Sequence, residues 1–274
     1  MQTIKFEKWH GIGNDFVMVN GFEEQLSEAA LPSLSEAMCD RRFGVGSDGL
    51  ILALPGQDAS LQMRMFNPDG SESEMCGNGV RCFALFAQEQ GLATDAVIPV
   101  ETGAGLLTLH TEGGHRVRVD MGPARLTRGE IGMTGPGDGQ FIDQPFGDYR
   151  GTAVSMGNPH VVIFVDDASQ VDLERVGPVL ERNDLFPKRV NVHFVQVVDR
   201  THLIQRTWER GAGITLACGT GACACGVAAF LNGLSERAVS IQLPGGVLEI
   251  EYTPEGRVWM TGPAEKVFDG IWER

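Results

Sequence analysis

The amino-acid sequence predicts an α+β protein of two pseudo-symmetric domains arising from an internal duplication, each a β-sheet or barrel-like layer around a central cysteine-headed helix. Three observations carry this expectation. "EMCGNGVRCF" at 74–83 and "LACGTGACAC" at 216–225 each place a cysteine before a Gly-x-Gly triplet and an apolar run. Other landmarks recur in both halves in the same order. Each half also closes on alternating apolar residues around a glycine-containing turn, "GLLTLHTEGGHRVRVDMGPA" at 105–124 and "GVLEIEYTPEGRVWMTGPA" at 246–264, which is the pattern of a β-hairpin.

The elements follow in chain order. "GNDFVMV" at 13–19 reads as a strand, and "GNPHVVIFV" at 157–165 answers it at an offset of 144, counted from Gly13 to Gly157. Asn67 in "FNPDG" stands nine residues before Cys76, as Glu209 in "WERG" stands nine before Cys218. After Cys76, residues Val80, Phe83, Ala84 and Ala87 recur at helical spacing, so a helix is expected to start near Asn78 and to close at Gly91. The run Ala222 to Leu231 is small and apolar nearly all round, which predicts a helix wrapped on all sides, closed by Gly233. Gly91 and Gly233 each lie fifteen residues beyond their cysteine, and by Gly122 and Gly262 the offset has drifted only to 140. The expected halves are 1–124, to which residues 265–274 are free to cross back, and 125–264. Within the second, residues 125–150 contain "GMTGPGDGQ" and read as an irregular connection rather than a third core.

A thiol at a helix N-terminus meets unpaired backbone N–H groups and the positive end of the helix dipole. These are expected to lower its pKa from about 8.5 toward neutrality, and they bind a carboxylate equally well. Gly77, Gly79, Gly219 and Gly221 carry no Cβ and would let a ligand approach those donors closely. If the halves face each other about a pseudo-twofold axis, two thiols flank one carbon. One thiolate then removes a proton while one thiol supplies another to the opposite face, which is racemisation or epimerisation by two bases. Helix N-termini aimed at the adjoining carboxylate stabilise the carbanion. This chemistry requires no metal, and no lysine stands in an evident pyridoxal-phosphate motif, so no cofactor is expected. Cys39, Cys82, Cys223 and Cys225 fall within expected helices and read as small buried hydrophobes; no C-x-x-C pair occurs.

Composition narrows the partners. A formal charge of −14 disfavours a nucleic-acid backbone or an anionic membrane, both of which need clustered Lys and Arg. The opening "MQTIKFEKWH" has no signal-peptide core and no stretch approaches about 18 apolar residues, so the expected location is the cytoplasm and the expected partner a small molecule.

"HGIGNDF" at 10–16, "FNPDGSESEMCGNGVRC" at 66–82, "GNPH" at 157–160 and "ERGAGITLACGTGACA" at 209–224 together resemble the diaminopimelate epimerase family, in order over nearly the whole chain. The resemblance implies interconversion of LL-2,6-diaminopimelate and its meso isomer without pyridoxal phosphate, in lysine and peptidoglycan-precursor synthesis, by a homodimer. It implies that Cys76 and Cys218 are the acid/base thiols, with His160 and Glu209 tuning them. By the same resemblance Gly77, Asn78, Gly219 and Thr220 form the anion-binding helix starts, and Asn14, Asn67, Asn158, Asn191, Glu209 and Arg210 hold the substrate. The asparagines of "FNPDG" and "GNPH" suit turns as well. Some family members have a glutamine contact after "FGVG"; here Asp48 and Gly49 occupy that stretch and the contact stays unassigned. The alternative is another cofactor-independent racemase of the same superfamily, of the histidine or the proline and hydroxyproline type.

Overall fold

The computed structural model describes residues 3–273, and the chain forms two compact units: Met1–Val119 with Gly262–Arg274, and Asp120–Thr261. The first contains β1 (Thr3–Gly11), β2 (Asn14–Asn20), α1 (Leu31–Cys39), β3 (Leu50–Pro55), β4 (Leu61–Phe66), β5 (Glu72–Ser73), α2 (Gly77–Glu89), β6 (Val97–Thr102), β7 (Gly105–Glu112) and the start of β8 (Arg116–Pro123). The second continues through α3 (Arg128–Ile131), β9 (Gln144–Phe146), β10 (Tyr149–Ser155), β11 (Pro159–Phe164), α4 (Leu173–Glu181), β12 (Asn191–Val197), β13 (His202–Glu209), β14 (Gly213–Ile214), α5 (Gly219–Leu231), β15 (Ala238–Leu243), β16 (Gly246–Tyr252) and most of β17 (Arg257–Pro263). The last strand, β18 (Glu265–Glu273), returns to the first unit and runs antiparallel to β1, with His10 opposite Glu265 and Thr3 opposite Glu273.

Strand pairing repeats step for step. In the first unit β1 and β2 form an antiparallel hairpin, β2 runs parallel to β3, β3 pairs antiparallel with β4, β4 antiparallel with β5 and parallel with β6, and β6–β7–β8 is an antiparallel meander. In the second, β10, β11, β12, β13, β14, β15, β16 and β17 make the same pairings in the same sense. Parallel neighbours cannot be joined by a tight turn and need a crossover. Helices α1 and α2 supply the two crossovers of the first unit, and α4 and α5 those of the second.

The cysteine-headed helices are the inner element of each unit. On α2, Val80, Cys82, Phe83, Ala84, Phe86 and Ala87 are all buried, each large side chain contributing about 1.5–3 kcal/mol. On α5 the enclosure is more complete, because it packs against β10, β11, β12, β13, β15 and β16. Its small residues permit that approach: a Cβ on Gly226 would lie 2.9 Å from the Ile250 side chain of β16. Both helices end as expected, with Gly91 and Gly233 left-handed at φ +69° and +71°.

Residues 125–150 form no core of their own, yet they are more than a connection. The segment is an integral part of its unit: Ile131, Met133, Phe141 and Phe146 are buried in one core with Val161, Val192 and Phe194. A capping box between Thr127 and Glu130 starts the single turn of α3, left-handed Gly132 ends it, and β9 pairs with β10. The apolar residues reach the core from irregular backbone, so they follow neither the helical nor the strand period that a sequence reading detects.

Candidate active site

In the first unit Cys76 is the N-cap of α2, extended at φ −133°, ψ 120°, and half-buried. Its thiol faces the Asn14 side chain, with Sγ 3.6 Å from Oδ1. That oxygen also accepts a hydrogen bond from Asn78 Nδ2 at 3.0 Å. The opposite end of the Asn14 amide donates to Asp48 Oδ2 at 2.6 Å, which fixes the amide with its oxygen toward the thiol. Asp48 is itself anchored by the backbone N–H of Asp15 and by Arg41, whose guanidinium lies 2.7 Å from Oδ1. Asp48 therefore orients Asn14, while Gly49 has no room for a side chain, its Cβ position being 3.0 Å from the Phe66 carbonyl oxygen.

Arg81, one turn into α2, is fully buried. Its guanidinium donates to Asn78 Oδ1 at 3.0 Å, to the Gly77 carbonyl at 3.1 Å and to the Pro263 carbonyl at 3.3 Å. A permanent cation thus joins the positive end of the helix dipole beneath Cys76. Asn67 serves its turn: its amide donates to Ser71 Oγ and its backbone closes the bend with Ser71 and Gly70.

In the second unit Cys218 is the N-cap of α5 and is only 5% exposed. Burial and the adjacent Glu209 carboxylate push its pKa well above the ordinary thiol value, overcoming the backbone at Gly221 and the Thr220 hydroxyl, which favour the thiolate. The lowering expected from the helix N-terminus is thus reversed here: a thiolate at this position would lose its hydration and face an anion. Cys218 Sγ lies 3.8 Å from Thr220 Oγ1, and Glu209, at the end of β13, is held by a 2.6 Å hydrogen bond from Thr215. Gly221 has a different use from the one expected. Its Cβ position is 2.3 Å from the His193 ring, so this glycine admits a histidine beneath the helix start.

His160, on β11, is fully buried, with Nε2 2.9 Å from Asn158 Oδ1 and Nδ1 2.9 Å from His193 Nε2. Burial, then the neighbouring His193 and Arg210, hold its pKa well below the usual histidine value. Asn158 Nδ2 donates to Thr220 Oγ1 at 3.3 Å, linking the "GNPH" turn to the head of α5. Asn191 bridges two backbones: its amide donates to the Pro159 carbonyl and accepts from the Arg210 N–H at 2.9 Å. Arg210 is exposed, and one arm of its guanidinium donates to the Lys188 carbonyl. Cys218, Glu209, Thr220, Asn158, His160, Asn191 and Arg210 thus belong to one cluster within this unit.

Sequence reading did not single out Arg81, His193 or Thr215. An arginine inside an otherwise apolar helical run is a usable signal for the first. His193 sits in "NVHFVQV" like any inward strand residue, and no local pattern marks it. Among the described residues no group of three or more His, Cys, Asp and Glu side chains is placed to hold a metal ion.

Comparison with known proteins finds relatives over the whole chain. The family model described as diaminopimelate epimerase matches residues 6–127 and 152–267, one stretch in each repeat. A diaminopimelate epimerase of Moorella thermoacetica is 53% identical over 97% of this chain and 98% of its own length. That of Desulforudis audaxviator is 50% identical over 99% and 100%. Among solved structures, a PhzF-family phenazine biosynthesis protein of Bacillus anthracis superposes with a TM-score of 0.73 at 18% identity, covering 100% of both chains. A hydroxyproline epimerase of Agrobacterium vitis does so at 0.66 and 14%, covering 99% of this chain and 91% of that one. These two share the fold. With its family model matched in both halves and full-length relatives about half identical, this chain belongs to the diaminopimelate epimerase family.

Proposed function

We propose that this protein interconverts LL-2,6-diaminopimelate and meso-2,6-diaminopimelate by proton transfer at one α-carbon, with Cys76 and Cys218 as the two acid/base groups. The observation that carries this reading is the duplicated thiol, one at the N-cap of the buried thirteen-residue helix in each unit. One thiol in the thiolate form takes the α-hydrogen from one face of the carbon, and the other returns a proton to the opposite face. Cys218 retains its proton at neutral pH, which suits it to donate first; Glu209 is placed to receive that proton when the reaction runs the other way. Backbone N–H groups at Gly77, Asn78, Gly219 and Thr220 bind the carboxylate beside the reacting carbon and stabilise the carbanion. Asn14, Asn67, Asn158, Asn191 and Arg210 hold the rest of the amino acid, Arg210 through the planar fork that suits a carboxylate. No pyridoxal phosphate takes part. The reaction serves lysine and peptidoglycan-precursor synthesis in the cytoplasm, and the working form is a homodimer.

The test is a stereochemical assay of protein free of pyridoxal phosphate. LL-diaminopimelate should convert to the meso isomer and the reverse, while L-histidine, L-proline and 4-hydroxyproline keep their configuration. Turnover of one of those three without turnover of diaminopimelate would reassign the substrate to another branch of the superfamily.

A further inference from the structure

Behind His160 the buried surface of β12 and β13 carries three polar side chains that thiol chemistry does not itself require. His193, Gln205 and Thr207 are all buried, and His193 is the register partner of Thr207. Their hydrogen bonds all run in one direction, toward His160. Asn158 uses its Nδ2 to reach Thr220, so the atom it turns to His160 is an oxygen, which can only accept. His160 Nε2 therefore carries the proton. Both rings are neutral at neutral pH, because burial keeps each pKa below the ordinary histidine value, down to about 3 for His193. The bare Nδ1 of His160 then requires a donor, and His193 Nε2–H stands 2.9 Å away. The bare Nδ1 of His193 in turn accepts from Thr207 Oγ1 at 2.9 Å and faces Gln205 Nε2 at 3.3 Å, and Thr207 also accepts from Gln205 Nε2 at 2.9 Å. Gln205 Oε1, buried and without a partner among the described residues, ends the line.

We infer that His193 is a positioning residue that locks His160 in its Nε2–H tautomer, and through Asn158 orients the Thr220 hydroxyl beside Cys218. With one Thr220 lone pair taken by Asn158, the hydroxyl proton is free to point at Sγ, 3.8 Å distant. Gly221 supports the assignment independently. The His193 ring occupies the space where a Cβ on Gly221 would sit, and that same position is 3.0 Å from Cys218 Sγ, so the ring is wedged under the first turn of the thiol-bearing helix.

The inference rests on the epimerase reading for its catalytic consequence, and its tautomer claim is measured without substrate. Nitrogen-15 NMR of labelled, unliganded protein should show His160 as the Nε2–H form. In His193→Gln the amide nitrogen can still donate to His160 Nδ1, and the tautomer should persist with kcat within about threefold of wild type. In His193→Leu the ring volume is largely kept but the donor is gone. His160 should become a mixture of tautomers and kcat fall at least about tenfold with KM nearly unchanged. The double variant Thr207→Val, Gln205→Leu, which removes both donors to His193 Nδ1 and leaves both histidines in place, should shift the tautomer in the same direction and covers the case in which the leucine variant does not fold. An unchanged His160 tautomer in a folded His193→Leu variant or in the folded double variant overturns the inference, as does an altered tautomer with wild-type kcat. Wild-type protein inactive on diaminopimelate, with a tautomer that follows His193, would instead overturn the substrate reading and leave the lock standing.

Discussion

Cys76 and Cys218 occupy the same place in two copies of one fold, yet they differ in burial and in the side chains around their helix starts. Both are extended N-caps of thirteen-residue helices. At the start of α2 the buried guanidinium of Arg81 holds the Gly77 carbonyl and the Asn78 side chain, and the Cys76 thiol faces the neutral Asn14 amide. Beside Cys218 stands the Glu209 carboxylate, and α5 contains no charged residue. Cys76 is half-buried, whereas Cys218 is shut in. Duplication supplies matched backbone geometry; a few side chains then make the two positions unequal.

The comparison breaks most sharply with the thiols themselves. Cys76→Ala and Cys218→Ala should each reduce epimerisation by about a thousandfold or more. In deuterated water each variant should still exchange the α-hydrogen of one diastereomer slowly and with retention, and the two should prefer opposite isomers. Mass and chiral analysis that finds both variants labelling the same isomer would mean that the thiols are not opposed.

Next in size is Glu209→Gln, which removes the anion and keeps an acceptor for Thr215. Burial and then Glu209 raise the Cys218 pKa, so loss of the carboxylate should move thiolate formation to lower pH, although burial still holds it above an ordinary thiol. Thiolate absorbance followed against pH should show that displacement, with kcat/KM down about a hundredfold. Asp48→Asn addresses the other side. It removes the charged acceptor that orients Asn14 and one of the two carboxylates paired with Arg41, Asp15 being the other. A loss of about tenfold in kcat/KM is expected, at little cost in stability because the Arg41 pair is exposed.

The repeat was legible because it is written in residue types with strong local meaning: glycines at helix ends, apolar periods, a cysteine before Gly-x-Gly. The inequality of the thiols was not, since it depends on which side chain reaches which atom. Glu209 stands nine residues from Cys218 in sequence, and nothing in that spacing says that its charge, with burial, outweighs the helix dipole. His193 is invisible for the same reason, being brought under α5 by the pairing of β11, β12 and β13. The core role of Ile131 and Phe141 escaped notice because irregular backbone carries no period.

The smallest expected effect tests where the repeats remain alike. Gly91 and Gly233 have nearly the same left-handed φ and open space where a Cβ would project. Gly91→Ala and Gly233→Ala should each lower stability by about 1 kcal/mol through backbone strain alone, by equal amounts in denaturant titration and with activity unchanged. Unequal losses would mean that the helix ends have diverged as the starts have.

The burial of α5 also governs how the protein meets reactive small molecules. Of its six cysteines five are enclosed, two of them within α5 and one at its head, and Cys76 alone is partly open to solvent. A thiol-selective electrophile presented to the native chain therefore meets one partly exposed sulfur, and the stoichiometry of its adduct counts folded sites rather than thiols. Selectivity of that kind comes from enclosure, before any reactivity of the sulfur is considered.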